Sequence, residues 1–412
     1  MNPAALYRPR SVLILVENLP VPFDRRVWQE ACALRAAGYL VSVISPTGVG
    51  CERTYELIEG VHVHRYRPAP EAMTPAGYVR EYATALCKTL LLACRVAFTR
   101  GVDVVHACNP PDLFFVIGAL FKLFGKRFVF DHHDLNPELY EAKFGRRGFL
   151  HRVLLKLEYL SFRLADAVLA TNQSYRQVAL TRGRVDPRRV FVVRSGPNLA
   201  CLRSVPPDVG LKCGRRFLVG YVGVMGAQEG IDCLLHAVHH IVHDLKRTDI
   251  HFALVGGGTS LAEMRELAAR LRVDSYVTFT NRVADDVLLR VLSTADVCVN
   301  PDRANEMNDK STMNKIMEYM ALGKPIVQFD LKEGRYSAQQ AAVYVRPGDT
   351  IDFGEQIVAL LDDPERRKRM GEFGYERVVK ELEWRRQIRH LLAAYDGLWP
   401  HDAEIRHETP IP

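Results

Sequence analysis

The strongest constraint on this chain is one local pattern used twice: a short, continuously apolar run, a turn, a helix-like stretch and another apolar run. In the first half, residues 11–16 (SVLILV) are bounded by Asn18, Pro20 and Pro22, residues 25–37 read as a helix ending at Gly38, and residues 40–44 are the next apolar run. Strand, loop, helix and strand make one βαβ unit. The alternation continues with a strand at 102–106, a helix at 114–124, a strand at 127–131, a long helix about 149–165, and strands at 167–170 and 190–193. Strands that are apolar throughout are covered on both faces, which implies a parallel sheet between helices.

The pattern pauses after Asn198, where Pro206, Pro207 and Gly210 read as a linker, and then starts again. A strand at 217–222 leads into a glycine-bearing loop at 223–230 and a helix at 231–244; a strand at 251–255 stops at Gly256, Gly257 and Gly258. A helix at 260–271, a strand at 277–279, a helix at 285–293 and a strand at 297–299 follow. A chain of 412 residues also exceeds what one hydrophobic core usually serves. The expected fold class is α/β, with two doubly wound Rossmann-like domains facing each other across a cleft and the ligand beyond the carboxyl ends of the strands.

Composition narrows the function by exclusion. The net charge of +7 permits an anionic ligand without demanding one, and no zinc-finger spacing or basic-aromatic module accompanies it, so nucleic acid is not an expected partner. Nine cysteines without a C-x-x-C pair read as reduced thiols. Residues 1–10 lack a signal-peptide core, and no run reaches about 18 uninterrupted apolar residues. The expected location is cytoplasmic. The apolar-basic stretch 78–100 fits peripheral association with the inner face of the cell membrane, and equally a buried helix.

Residues 308–327 (NDKSTMNKIMEYMALGKPIV) carry helix signals: Ser311 or Thr312 as N-cap, Gly323 at the C-terminus and Pro325 before a strand. Met313, Ile316, Met317, Met320 and Ala321 form a core-facing stripe. Ser311, Asn314, Lys315 and Glu318 form a second stripe, where helix N–H groups, the positive end of the dipole and Lys315 converge as a diphosphate site. Glu318 lies ~10 Å along the axis from Ser311, the reach from a diphosphate to its ribose. A solvated face with a Lys and Glu pair satisfies the same spacing.

These residues resemble the retaining GT-B glycosyltransferases of family 4, whose C-terminal domain carries an acidic pair eight residues apart followed by EAMA-x-G-x-P-V. The matching text is Glu318-Tyr319-Met320-Ala321-Leu322-Gly323-Lys324-Pro325-Ile326-Val327. Ala36-Ala37-Gly38-Tyr39, Asp103-Val104-Val105-His106, Gly220-Tyr221-Val222-Gly223 and the tail from Arg367 to Trp384 are similar in the family's order, so the resemblance spans nearly the whole chain. It implies an acceptor-side domain at 1–200, a nucleotide-sugar domain at 201–383, and a closing helix and tail at 384–412 crossing back. It also implies that Glu318 binds the ribose. The family's first acid falls on Lys310, with Asp309 and Glu306 nearby. The 223–230 loop has Val224 and Glu229 where members commonly carry Arg and Lys. Backbone N–H groups around Gly223 and Gly226, with Ser311, Thr312 and Asn314, are left to meet the donor, and Lys310, Lys315 and Arg25 or Arg26 are the compensating cations.

Two further segments belong to the expected site. Pro20-Val21-Pro22-Phe23-Asp24-Arg25-Arg26 replaces the family's glycine-rich turn. Its arginines either meet a phosphate or an anionic acceptor, or Asp24 caps the helix and both are solvated. In Phe130-Asp131-His132-His133-Asp134, both His132 and His133 are candidates for positioning or proton transfer, with Asp134 orienting one and Asn109 lining the same cleft. Adjacent histidines on an extended chain point apart, so no metal is expected. The absence of D-x-D agrees with a metal-independent reaction whose leaving group is stabilised by fixed charges, and the resemblance implies retention. The expected activity is transfer of a sugar from a nucleoside-diphosphate sugar, UDP by expectation, to a glycan or lipid-linked acceptor in cell-surface polysaccharide synthesis, with no cofactor. A UDP-sugar epimerase of the same fold and a non-catalytic nucleotide-sugar-binding protein remain as alternatives.

Overall fold

The computed structural model describes residues 8–69 and 75–399, which divide into two compact units. The first comprises Met1–Glu141, Gly145–Arg194 and Gln387–Pro412, the second Ala142–Phe144 and Ser195–Arg386. The 400–412 part of the expected closing tail lies outside the described residues.

The first unit is built on an eight-stranded sheet, β1 (Ser11–Leu15), β2 (Leu40–Pro46), β3 (Tyr55–Ile58), β4 (Val61–Tyr66), β5 (Val104–Cys108), β6 (Arg127–His132), β7 (Ala167–Ala170) and β8 (Val190–Val192), in the order β3-β4-β2-β1-β5-β6-β7-β8. All pairs are parallel except β3 with β4. That hairpin is absent from the reading above because His62, His64 and Arg65 interrupt its apolar pattern. β1, β5 and β7 are buried along their whole length, as their composition requires, and Leu13, Val105, Phe128, Phe130 and Val168 lead the core. The Arg25–Ala36 helix starts where Asp24 accepts from the Val27 N–H at 3.1 Å and stops before Gly38.

The Pro75–Arg100 helix contains a 21-residue stretch, Arg80–Arg100, long and apolar enough to cross a membrane, but Ala85, Ala93 and Val96 pack into the core of this unit. The last helix, Trp384–Asp396, joins this unit from Gln387 onward, with Tyr395 fully buried edge-on to Tyr39 at 5.4 Å.

The second unit holds six parallel strands, β9 (Phe217–Val222), β10 (Ile250–Val255), β11 (Val277–Phe279), β12 (Val297–Asn300), β13 (Ile326–Phe329) and β14 (Ala342–Val345), in the order β11-β10-β9-β12-β13-β14. Its core runs through Val219, Phe252, Leu254, Val299 and Val327. Each unit is thus a doubly wound α/β layer structure, in which sites form beyond the carboxyl ends of the strands.

Candidate active site

In the second unit, the helix signals at 308–327 resolve into two pieces. Glu306–Lys310 is a single turn capped by Asn305, and the longer helix is Asn314–Ala321, two turns rather than three. Ser311 and Thr312 therefore precede the helix instead of capping it: the Ser311 hydroxyl donates to the Met307 carbonyl at 2.8 Å, and Met313 stands at the cap position. The cap residue, Met313, makes no side-chain hydrogen bond to the helix N-terminus.

Ile316, Met317 and Met320 are fully buried, as their spacing requires. Tyr319 is buried beside them, its hydroxyl accepting from the Val222 N–H at 2.9 Å and donating to the Val299 carbonyl at 3.3 Å. Tyr319 thereby pins the helix across the ends of β9 and β12. Tyr319→Phe leaves two backbone groups unsatisfied, and an expected loss of about 1–3 kcal/mol follows; an unchanged urea midpoint would contradict it.

Lys315 is 9% exposed rather than solvated. Its ammonium lies 2.7 Å from Oδ1 of Asp302, 3.1 Å from Oε2 of Glu229 and 3.4 Å from the Tyr221 hydroxyl. It also abuts the Gly223 loop: a Cβ at Gly223 would stand 3.4 Å from Nζ and 2.6 Å from the Tyr221 hydroxyl, so only glycine fits. Asn308 closes the arrangement by donating to the Gln228 and Arg303 carbonyls at 3.0 and 2.8 Å. Lys315 thus places a cation beside the loop, with Glu229 as one of its anchors. Burial, opposed by Lys315 and reinforced by Glu229, raises the Asp302 carboxyl to about 7. Asp302 was missed because it lies thirteen residues from its partner on a different element.

The other expected donor residues are placed as follows. Lys310 pairs with Glu306 at 2.5 Å on its own helical turn. Asp309 accepts from the Lys332 N–H at 2.8 Å. Asn314 is exposed and Glu318 half-buried on the Asn314–Ala321 helix. Gly226 begins the short turn over Ala227–Glu229.

In the first unit the structure corrects both readings of Arg26. Asp24 does cap the helix and Arg25 is exposed, but Arg26 is 7% exposed and turned inward. It binds Asp131 through both carboxylate oxygens, at 2.7 and 3.2 Å, reaches Glu30 at 3.1 Å and donates to the Val193 carbonyl at 2.7 Å. Its guanidinium is thus engaged by two acids and a carbonyl of the first unit.

The two histidines diverge, as adjacent residues at a strand end must. His132 is fully buried among Phe130, Phe162 and Tyr175, 3.3 Å from Glu158, and so lies in the core. His133 keeps 14% of its side chain exposed and sits 2.5 Å from Asp131. Asn109 fixes the turn that follows, accepting from the His133 and Asp134 N–H groups at 2.6 and 3.1 Å and donating to the Asp134 carbonyl at 2.8 Å. Burial raises the Asp134 carboxyl, against the pull of His133 and His132.

Glu30, Cys108, Asp131 and His133 bring potential metal-ligand atoms within 4.8 Å of one another. The Arg26 guanidinium already stands among them, paired with Asp131 and Glu30 and 2.8 Å from His133, so a cation of metal charge does not fit this donor set. Glu17, just past β1, was also missed; burial and then Glu81 raise its carboxyl to about 7.

Two sequence families match the chain. The model for Glycosyltransferase Family 4 matches residues 24–200, and that for Glycosyl transferases group 1 matches residues 216–363. Alpha-maltose-1-phosphate synthase from Mycolicibacterium smegmatis is 25% identical over 301 residues, 66% of this chain and 73% of that protein. A kanosaminyltransferase of Streptomyces kanamyceticus is 25% identical over 159 residues, 38% of this chain and 39% of that protein, so the chain spans well under half the length of that relative. Sucrose-phosphate synthase from Thermosynechococcus elongatus superposes with a TM-score of 0.78 at 20% identity, covering 95% of this chain and 100% of that one. An Anabaena protein solved with UDP-glucose superposes at 0.73 and 16% identity, covering 94% and 99%. At these identities the superpositions establish the fold.

Proposed function

Because the chain belongs to the group 1, family 4 glycosyltransferases of GT-B fold, we propose that it transfers a sugar from a nucleoside-diphosphate sugar to a hydroxyl-bearing acceptor, with retention and without a metal. The observation that carries this reading is the seat around Gly223. A glycine loop, the N-terminus of the Asn314–Ala321 helix and the buried Lys315 ammonium meet at the carboxyl end of the second sheet. A departing diphosphate requires positive potential, since negative charge grows on it as the anomeric bond breaks; the helix N-terminus and Lys315, whose charge Asp302 and Glu229 share, are assigned to supply it. Glu318, one turn further along the same helix face, is assigned to the ribose hydroxyls. His133 and Asp134 are assigned to the sugar side of the reaction, Asn109 to holding their turn. The bound UDP-glucose of the Anabaena structure favours UDP as the nucleotide.

The acceptor is proposed to be a glycan or lipid-linked glycan of a cell-surface polysaccharide, met at the cytoplasmic face of a membrane. Exposed Leu91 and Phe98, on the same helix as Lys88 and Arg95, favour a surface that meets lipid.

Calorimetry with UDP, GDP and ADP forms of candidate sugars, followed by acceptor-dependent release of nucleotide, tests the proposal. Glu318→Ala is expected to weaken nucleotide binding at least tenfold, and unchanged affinity would remove the ribose assignment. Epimerised donor without acceptor-dependent release would replace transfer by epimerisation as the activity.

A further inference from the structure

His133 is held at one ring nitrogen only. Its Nε2 lies 2.5 Å from Oδ2 of Asp131 and 2.8 Å from Nε of Arg26. A carboxylate oxygen and a bare imidazole nitrogen would repel each other at that separation, so a proton stands between them. Arg26 Nε does not need Nε2 as acceptor, because the same Asp131 oxygen lies 3.2 Å away. Among the described residues Nδ1 makes no hydrogen bond, and the ring is the part-exposed member of an otherwise buried group.

We propose that Asp131, clamped by Arg26, is a positioning residue that fixes His133 in its Nε2–H form and so presents Nδ1 to the substrate as a hydrogen-bond acceptor. This rests on the reading of His133 as facing the sugar, and it deepens that reading by naming the atom. The matching substrate group is a hydroxyl of the donor sugar or of the acceptor, which donates to Nδ1. When such a hydroxyl gives up its proton, Nδ1 receives it and the resulting imidazolium is paired with Asp131, with no other change in bonding at the histidine.

The surroundings keep Asp131 in the form this requires. Burial alone would raise its carboxyl, but Arg26 and then His133 overcome that and hold it well below the usual carboxylate range. Burial pushes Glu30 up, against Arg26 and with the help of Asp131, so one of the two acids carries the charge opposite Arg26. Behind them, His106 stands 3.5 Å from Asp131 and 3.6 Å from Glu30, with Nδ1 2.8 Å from the Tyr395 hydroxyl, and burial keeps it neutral. Asp131 is therefore fixed on every side except that of His133.

The test is long-range 1H–15N correlation of the histidine rings in the full chain at pH 8, with His133 assigned by the signal lost in His133→Asn. The Nε2–H pattern is expected; an Nδ1–H pattern, or the averaged pattern of a solvent-exposed imidazole, overturns the proposal. Activity supplies an independent arm. An asparagine amide reaches the place of Nδ1 and a glutamine amide that of Nε2, so His133→Asn should retain at least tenfold more kcat than His133→Gln, with KM little changed in both. Equal losses would overturn the role of Nδ1 even if the ring pattern holds. The ring pattern needs no substrate, so a wild-type chain inactive with every nucleotide sugar would defeat the proposed function while the spectrum still decides the tautomer.

Discussion

Arg26→Met is expected to destabilise the first unit by about 3–5 kcal/mol, because it leaves a buried carboxylate without its cation. Asp131 has no exposed surface and its main partner is Arg26, so the group must either stay charged in an apolar setting or take up a proton. The sign with pH follows from the wild-type depression of the Asp131 pKa. A depressed acid contributes stability above its unfolded pKa, near 4, and loses that contribution as pH falls through its lower folded value. In Arg26→Met the unpaired Asp131 takes up a proton on folding, which costs less as pH falls towards the unfolded value, so the deficit should be full at pH 7 and smaller at pH 4. Urea unfolding at both values measures it, and a loss below about 1 kcal/mol at pH 7 would show that the pair contributes little. Adding Asp131→Asn to Arg26→Met should recover part of the loss, since the buried charge is then gone as well.

Lys315→Met is expected to weaken nucleotide-diphosphate binding about 10- to 100-fold, the range of one charge-assisted hydrogen bond. The loss is more than one contact, because Glu229 and Asp302 are then left facing the Gly223 loop without a cation between them. Lys310→Met should cost much less, since Lys310 is engaged with Glu306 on the surface of its own turn. Comparable losses for both lysines would remove the distinction between them. The raised Asp302 carboxyl adds a pH dependence. Below about 7 Asp302 carries a proton and the cluster presents less negative charge to the diphosphate; above it that charge returns. Affinity should fall as pH rises through this value, and Asp302→Asn should flatten the dependence.

The alternation of strands and helices was legible because both faces of each strand meet apolar neighbours, and that needs no knowledge of tertiary partners. The Glu318 segment was legible for a similar reason, its core stripe being set by helical periodicity alone. What was hidden depended on distance along the chain. Arg26 read as a surface or phosphate-binding residue because Asp131, which buries it, is 105 residues away. His132 and His133 were indistinguishable until the end of β6 gave each a side, and Lys315 gave no sign that Glu229 and Asp302 would surround it. Charged residues carry no periodic signature of burial; only the fold brings their counterions together.

The return of residues from Gln387 onward to the first unit has a consequence for biosynthesis. On a ribosome, every residue of the second unit emerges before Tyr395, the residue that covers Tyr39 and His106. The sheet encoded later can close first, while the one encoded earlier waits with an uncovered apolar flank until Tyr395 has emerged.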